Sequence, residues 1–290
     1  MISEYNKTKI KQLKKQFEQL KVGKEALLDI IDEAELPELV YNSNAIENST
    51  LTLKETERIL LELENVRNIS VRELFEAKNL ARVMEYIKNK KDLKLNIEII
   101  LLLHEMLISG IDDNIAGRFR NLDEYVRVGT HIAPRPEQII PLINNLLIDY
   151  ESSDDIYFLE RISHFHLEFE RIHPFVDGNG RIGRVLLNLQ LKLNGYPPVI
   201  IRNKSKRDYY YPAFGVYQNN NSSVGLDSLL ILALLESLNK RLAYLASKEI
   251  VKLADYAKKT KSSSNALLNS ARRQTIPAFR EKGIWKIGLS

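Results

Sequence analysis

His173-Pro174-Phe175-Val176-Asp177-Gly178-Asn179-Gly180-Arg181-Ile182-Gly183-Arg184 reads as the end of one helix, a glycine-rich loop and the start of another. Pro174 disfavours α geometry at His173, so the first helix should stop there and leave the imidazole at a loop edge. Gly178 and Gly180 permit positive φ, and with Asn179 they can turn successive backbone N–H groups into an anion nest. The helix that follows aims its N-terminal dipole at the same point. Arg181 and Arg184 are three apart and expected on one face, where a guanidinium fork suits phosphate oxygens. Asp177 offers a hard oxygen for Mg²⁺. His173 titrates near neutrality and is placed to take a proton from a hydroxyl.

Outward from this stretch the chain is mostly helical. Phe158, Ile162, Phe165, Phe169 and Ile172 step by four and three, which predicts a helix over 156–172 buried on one side. Thr52-Leu-Lys-Glu55 and Ser70-Val-Arg-Glu73 read as capping boxes. Asn96 caps an expected helix through Ile97–Ile108, and Pro136 begins another. Tyr125–Val128 and His131-Ile132, parted by Gly129-Thr130, suggest a short hairpin. In the tail, two short helices near 252–257 and 264–271 precede a second hairpin, Ile276–Arg280 and Ile284–Ile287. The fold class is therefore mainly α, with a small appendage expected after about Arg241.

Composition sets the frame. The 290 residues are 44% hydrophobic and 28% charged, with no cysteine, which removes disulfides and thiolate chemistry. The charged N-terminus carries no signal-like run and no stretch reaches the length of a membrane span, so a cytoplasmic protein with no membrane partner is expected. The net charge of +4 is uneven: residues 248–290 carry +7 and the remainder −3. A basic tail on an acidic body suggests a second module with its own partner.

The twelve-residue stretch resembles the Fic family motif H-P-F-x-[DE]-G-N-G-R-x-x-R at every defined position. Gly117-Arg-Phe-Arg120 and Val126–His131 resemble the family's flap, and Asn194-Gly-Tyr-Pro-Pro198 and Tyr209-Tyr210 its nucleotide side. The resemblance implies a Fic-type helical core over about 100–240 that transfers AMP from ATP, with Mg²⁺, to a Ser, Thr or Tyr hydroxyl of a protein, itself included. It implies His173 as general base and Asp177 as metal ligand. ATP would be held by Asp177, Gly178, Asn179, Gly180, Arg181, Ile182, Gly183 and Arg184. Val128, Gly129, Thr130 and His131 would clamp the target segment beside the α-phosphate, and Tyr209 would line the nucleoside pocket. Relatives that phosphorylate carry Lys where Gly180 stands, so Gly favours AMP transfer. Some relatives place Asn at Tyr217.

Within residues 1–99, Ser43-Asn-Ala-Ile-Glu47-Asn48 resembles the family's inhibitory motif, with Glu47 near a helix C-terminus where the dipole disfavours a carboxylate. Glu47 would then bond Arg184 in place of the γ-phosphate. Residues 248–290 resemble a winged helix-turn-helix, with Arg272, Arg273, Arg280 and Lys282 offered to DNA phosphates; protein interaction or packing is the alternative. Two rivals stand beside the enzyme. His166, Glu170 and His173 fall at i, i+4 and i+7, a spacing zinc accepts; His164 faces elsewhere. A nucleotide-sensing DNA-binding regulator would need the nest and arginines but not His173. An oligomer is compatible with the sequence.

Overall fold

The computed structural model describes residues 1–61, 69–129 and 131–289. Thr130 lies outside the described residues. Twelve α-helices were found among them, with two small antiparallel sheets. No helix among them is long and apolar enough to cross a membrane.

The centre is an antiparallel pair, α7 (Phe158–Ile172) and α8 (Asn179–Leu193), joined by the glycine-rich loop. The Phe165, Phe169 and Ile172 stripe of α7 packs into one core together with α4 (Val71–Asn89), α5 (Ile97–Ile108) and α6 (Pro136–Ser152). Leu159, Ile162 and Leu167 enter a second core with α1 (Glu4–Leu20) and α10 (Val224–Ala246). So α7 is buried on two sides, not the one that its aromatic stripe suggests. Polar Ser163 and His166 complete the buried surface, which is why apolar spacing understates it.

Other elements follow local chemistry. Thr52 and Glu55 close a full capping box on α3 (Leu53–Leu60). Ser70 caps α4, but the Glu73 carboxylate turns outward: it accepts from Ser49 Oγ at 3.0 Å, Thr50 N at 2.6 Å and Thr50 Oγ1 at 2.9 Å. That second box is therefore half made, and Glu73 ties the start of α4 to the loop after α2. Helix α2 runs Glu25–Ile46 with Pro37 inside it, twelve residues longer at its start than Pro37 suggests. Proline removes one helical hydrogen bond, and buried Ile31, Glu35 and Leu39 on either side hold the helix through it.

The tail holds a strand the sequence reading lacks. β3 (Glu249–Lys252) pairs with β5 (Ile284–Leu289), which pairs with β4 (Ala278–Glu281), around α11 (Leu253–Lys259) and α12 (Ser264–Arg272). Helix α10 continues past Arg241 to Ala246, and Arg241 is buried against Asp32 and Glu35. The β4–β5 hairpin faces the helical body. Arg280 bonds Glu236 at 2.6 Å, and Lys282 gives its N–H to Glu38 and its ammonium to Glu57 at 2.9 Å. Two of the four cations expected to meet DNA phosphates are thus committed to carboxylates of the body. Arg272 and Arg273 are exposed.

Candidate active site

His173 ends α7 in the left-handed region, φ 50°, its N–H bonded to Phe169 O. Ahead of proline an extended residue is the usual outcome; here Arg120 Nε bonds the His173 carbonyl at 2.9 Å and its guanidinium also holds Glu124 O and Pro134 O, which fixes the corner. His173 Nδ1 lies 3.3 Å from the Glu170 carbonyl. A carbonyl only accepts, so Nδ1 carries the proton and Nε2 keeps the lone pair. Burial pulls this imidazole down to about 4, so it is neutral at physiological pH.

The loop behind it is braced by side chains. Asn179 Oδ1 accepts from Phe175 N at 2.9 Å and its Nδ2 donates to Phe175 O at 2.8 Å. The Asn179 side chain is therefore a staple for the loop, and only its backbone is left for an anion. His104 stacks on Phe175 with centroids 3.7 Å apart, accepts from Gly117 N through Nδ1 and donates through Nε2 to Asp177 O. Of the two loop glycines, Gly178 uses positive φ, 80°. Gly180 is helical, and a Cβ there would meet the Glu47 carboxylate, which would have to shift.

A cavity of about 520 Å³ opens at this point, lined by His173, Gly180, Arg184, Glu47, Glu170 and Tyr210. Val128, Gly129 and His131 form its far wall from the hairpin β1 (Arg127–Val128) and β2 (His131–Ile132). Arg184 is buried and fully engaged. Its Nε donates to Ser43 Oγ at 2.9 Å, and its Nη2 donates to Ser43 O and Glu47 Oε1, each at 2.9 Å. Tyr210 OH lies 3.4 Å from Nη1 and 2.8 Å from His166 Nε2.

Several expected site residues are not gathered here. Arg181 and Arg184 diverge: Arg181 is buried against Asp177 and Glu76 of α4. Asp177, Gly178, Asn179, Arg181, Ile182 and Gly183 are not among the cavity's lining, and Ile182 is a core side chain. Tyr209 is 64% exposed. A single π turn, Lys206–Tyr210, shifts the phase so that Tyr210, Tyr211 and Phe214 line the cavity instead. Tyr217 also faces it, with its hydroxyl bonded to Glu168. His166, Glu170 and His173 do not form a ligand set: among the described residues no group of three or more His, Cys, Asp or Glu is placed to hold a metal.

Glu170 is a site residue that sequence reasoning offered only to zinc. Its Oε1 is buried and has no hydrogen-bond partner, and a Cβ on Gly183 would stand 2.5 Å from that oxygen. Burial first, and the Glu47 charge second, push it up to about 8. The folded state thus keeps a proton that the unfolded chain releases near 4.5, so stability falls as pH rises from that value towards 8. Glu170→Gln should therefore raise the melting temperature, with a gain at pH 8 clearly larger than at pH 5. A gain equal at both pH values would show that Glu170 is not a protonated buried acid.

Residues 94–191 match the family described as Fic/DOC. Proteins named protein adenylyltransferase Fic from Drosophila persimilis and Drosophila melanogaster are each 35% identical over 176 residues, 59% of this chain and 34% and 35% of theirs. The chain thus spans about a third of the length of these curated relatives. A Fic domain containing signaling protein from Bacteroides thetaiotaomicron has a similar structure, with a TM-score of 0.73 at 26% identity, over 81% of this chain and 96% of that one. A Fic family protein from Desulfovibrio desulfuricans shares the fold, with a TM-score of 0.66 at 23% identity, over 93% of this chain and 88% of that one.

Proposed function

We propose that this chain, whose residues 94–191 form a Fic/DOC-family domain, transfers AMP from ATP to a hydroxyl of a protein. The observation that carries the reading is a neutral imidazole, His173, and a buried guanidinium, Arg184, facing one cavity at the N-terminus of α8. His173 Nε2 takes the proton of the incoming hydroxyl as its oxygen bonds the α-phosphorus. The bond to the β-phosphate breaks, and pyrophosphate leaves with that electron pair. Backbone N–H groups and the dipole at the start of α8 stabilise the developing charge. Arg184, once released, orients the outer phosphates. A regulator that only senses nucleotide has no use for the imidazole.

A magnesium ion, when bound, would draw charge from the phosphates, and Asp177 is the carboxylate that fits it. Asp177 Oδ1 accepts from Gly178 N and Arg181, Oδ2 accepts from Arg72, and the side chain as a whole is 36% exposed. One protein carboxylate suffices where phosphate oxygens and water supply the other ligands.

On this reading residues 100–240 are the catalytic core, 1–99 carry its restraint, and 248–290 are an appended module. The restraint is Glu47: its bond to Arg184 denies that guanidinium to the γ-phosphate. ATP labelled on the α-phosphate tests the function. Label should become covalently attached to protein, whereas γ-phosphate label should not. Transfer of the γ label instead would mean a kinase.

A further inference from the structure

Asp177 is held by more than its own loop. Arg72, the second residue of α4, donates through Nη2 to Asp177 Oδ2 at 2.5 Å and through Nε to Glu76 Oε1 at 3.0 Å. Arg181 lies 3.1 Å from each of the same two carboxylates. Two guanidinium groups and two carboxylates close a neutral ring, and the only Asp177 oxygen not already spent on Gly178 and Arg181 is the one Arg72 covers. Arg181 is buried and Glu76 nearly so, at 13% exposed, but Arg72 is 58% exposed, so its arm of the ring is the one free to open.

We infer that Arg72 is a positioning residue that competes with the divalent cation for Asp177, so that the site is closed at both ends by charge mimics. Glu47 stands on Arg184 where a phosphate would sit, and Arg72 stands on Asp177 where the cation would bind. The two are joined. Glu73, beside Arg72, holds Ser49 and Thr50, which follow Glu47 by two and three residues. This inference rests on the nucleotide reading above, and it adds a residue that lies outside the 94–191 family match.

The test uses the full chain, ADP and Mn²⁺. ADP has no γ-phosphate, so the Glu47–Arg184 bond does not obstruct it. Free Mn²⁺ is followed by electron paramagnetic resonance, and ADP affinity in EDTA by calorimetry. Arg72→Ala should lower the Mn²⁺ concentration that half-saturates the protein–ADP complex by about fivefold, the upper end for a solvent-reached ion pair. ADP affinity in EDTA should not improve, because the variant loses a positive charge near the phosphates. Arg72→Lys should return most of the parental Mn²⁺ dependence. An Ala variant with parental Mn²⁺ dependence, or one that binds ADP more tightly to the same degree with and without metal, overturns the inference. Parental protein that binds no ADP under either condition would overturn the nucleotide reading and this inference with it.

Discussion

His173→Ala should lower AMP transfer by about 10²–10⁴-fold, the usual loss when a general base is removed, while leaving the cavity and the loop in place. The Asn179–Phe175 bonds and the His104–Phe175 stack hold the loop without the imidazole, and Arg120 bonds the His173 backbone, which alanine retains. Binding of ATP should therefore survive, and the loss should fall on the rate at saturating ATP. The pH profile adds a sharper demand. A His173 held at about 4 by burial is already unprotonated at pH 5.5, so the base-dependent limb of the parent should lie near 4 and not near the ordinary 6.5. Measured rates from pH 4 to 8 decide this. A variant with parental rates would remove His173 from the chemistry.

Glu47→Gly should raise automodification on the order of tenfold. A charge-assisted hydrogen bond contributes roughly 1.5–3 kcal/mol, and the lower end applies because the Glu47 side chain is 39% exposed and solvent screens it. Ser43 remains to hold Arg184 Nε, so the guanidinium stays near its present place rather than collapsing. Adding Arg184→Ala should cancel the gain if, as proposed, the freed guanidinium orients the triphosphate. Initial rates of label incorporation for the parent and both variants are the measurement. A Glu47→Gly protein no faster than its parent would end the idea of a restraint at this position, whatever the bond length.

What the sequence makes legible is local. Helix α5 begins at the cap offered by Asn96, α7 ends at His173, and the flap hairpin falls where Gly129 suggests, because each depends on a few neighbouring residues. What escapes it is long-range or a matter of phase. Arg181 and Arg184 share a helix face by spacing, yet each goes where a distant carboxylate draws it, Glu76 of α4 or Glu47 at the C-cap of α2. The Tyr209–Tyr210–Tyr211 run gives no hint which ring turns inward, since the answer lies in one π turn. Arg280 and Lys282 look free until α10, α2 and α3 bring Glu236, Glu38 and Glu57 beneath them. Strand β3 is four residues long and exists only because β5 lies beside it.

The contact between Gly180 and Glu47 has a consequence for how such a chain can vary. Any side chain at 180 must displace the Glu47 carboxylate, because the two would share one volume. A substitution at 180 thus acts on both positions, because the added side chain moves the carboxylate that meets Arg184. Positions 47 and 180, 133 residues apart in the chain, are therefore coupled through one contact. In a library that randomises both, replacing Glu47 should change activity most with glycine at 180 and less with a larger side chain there.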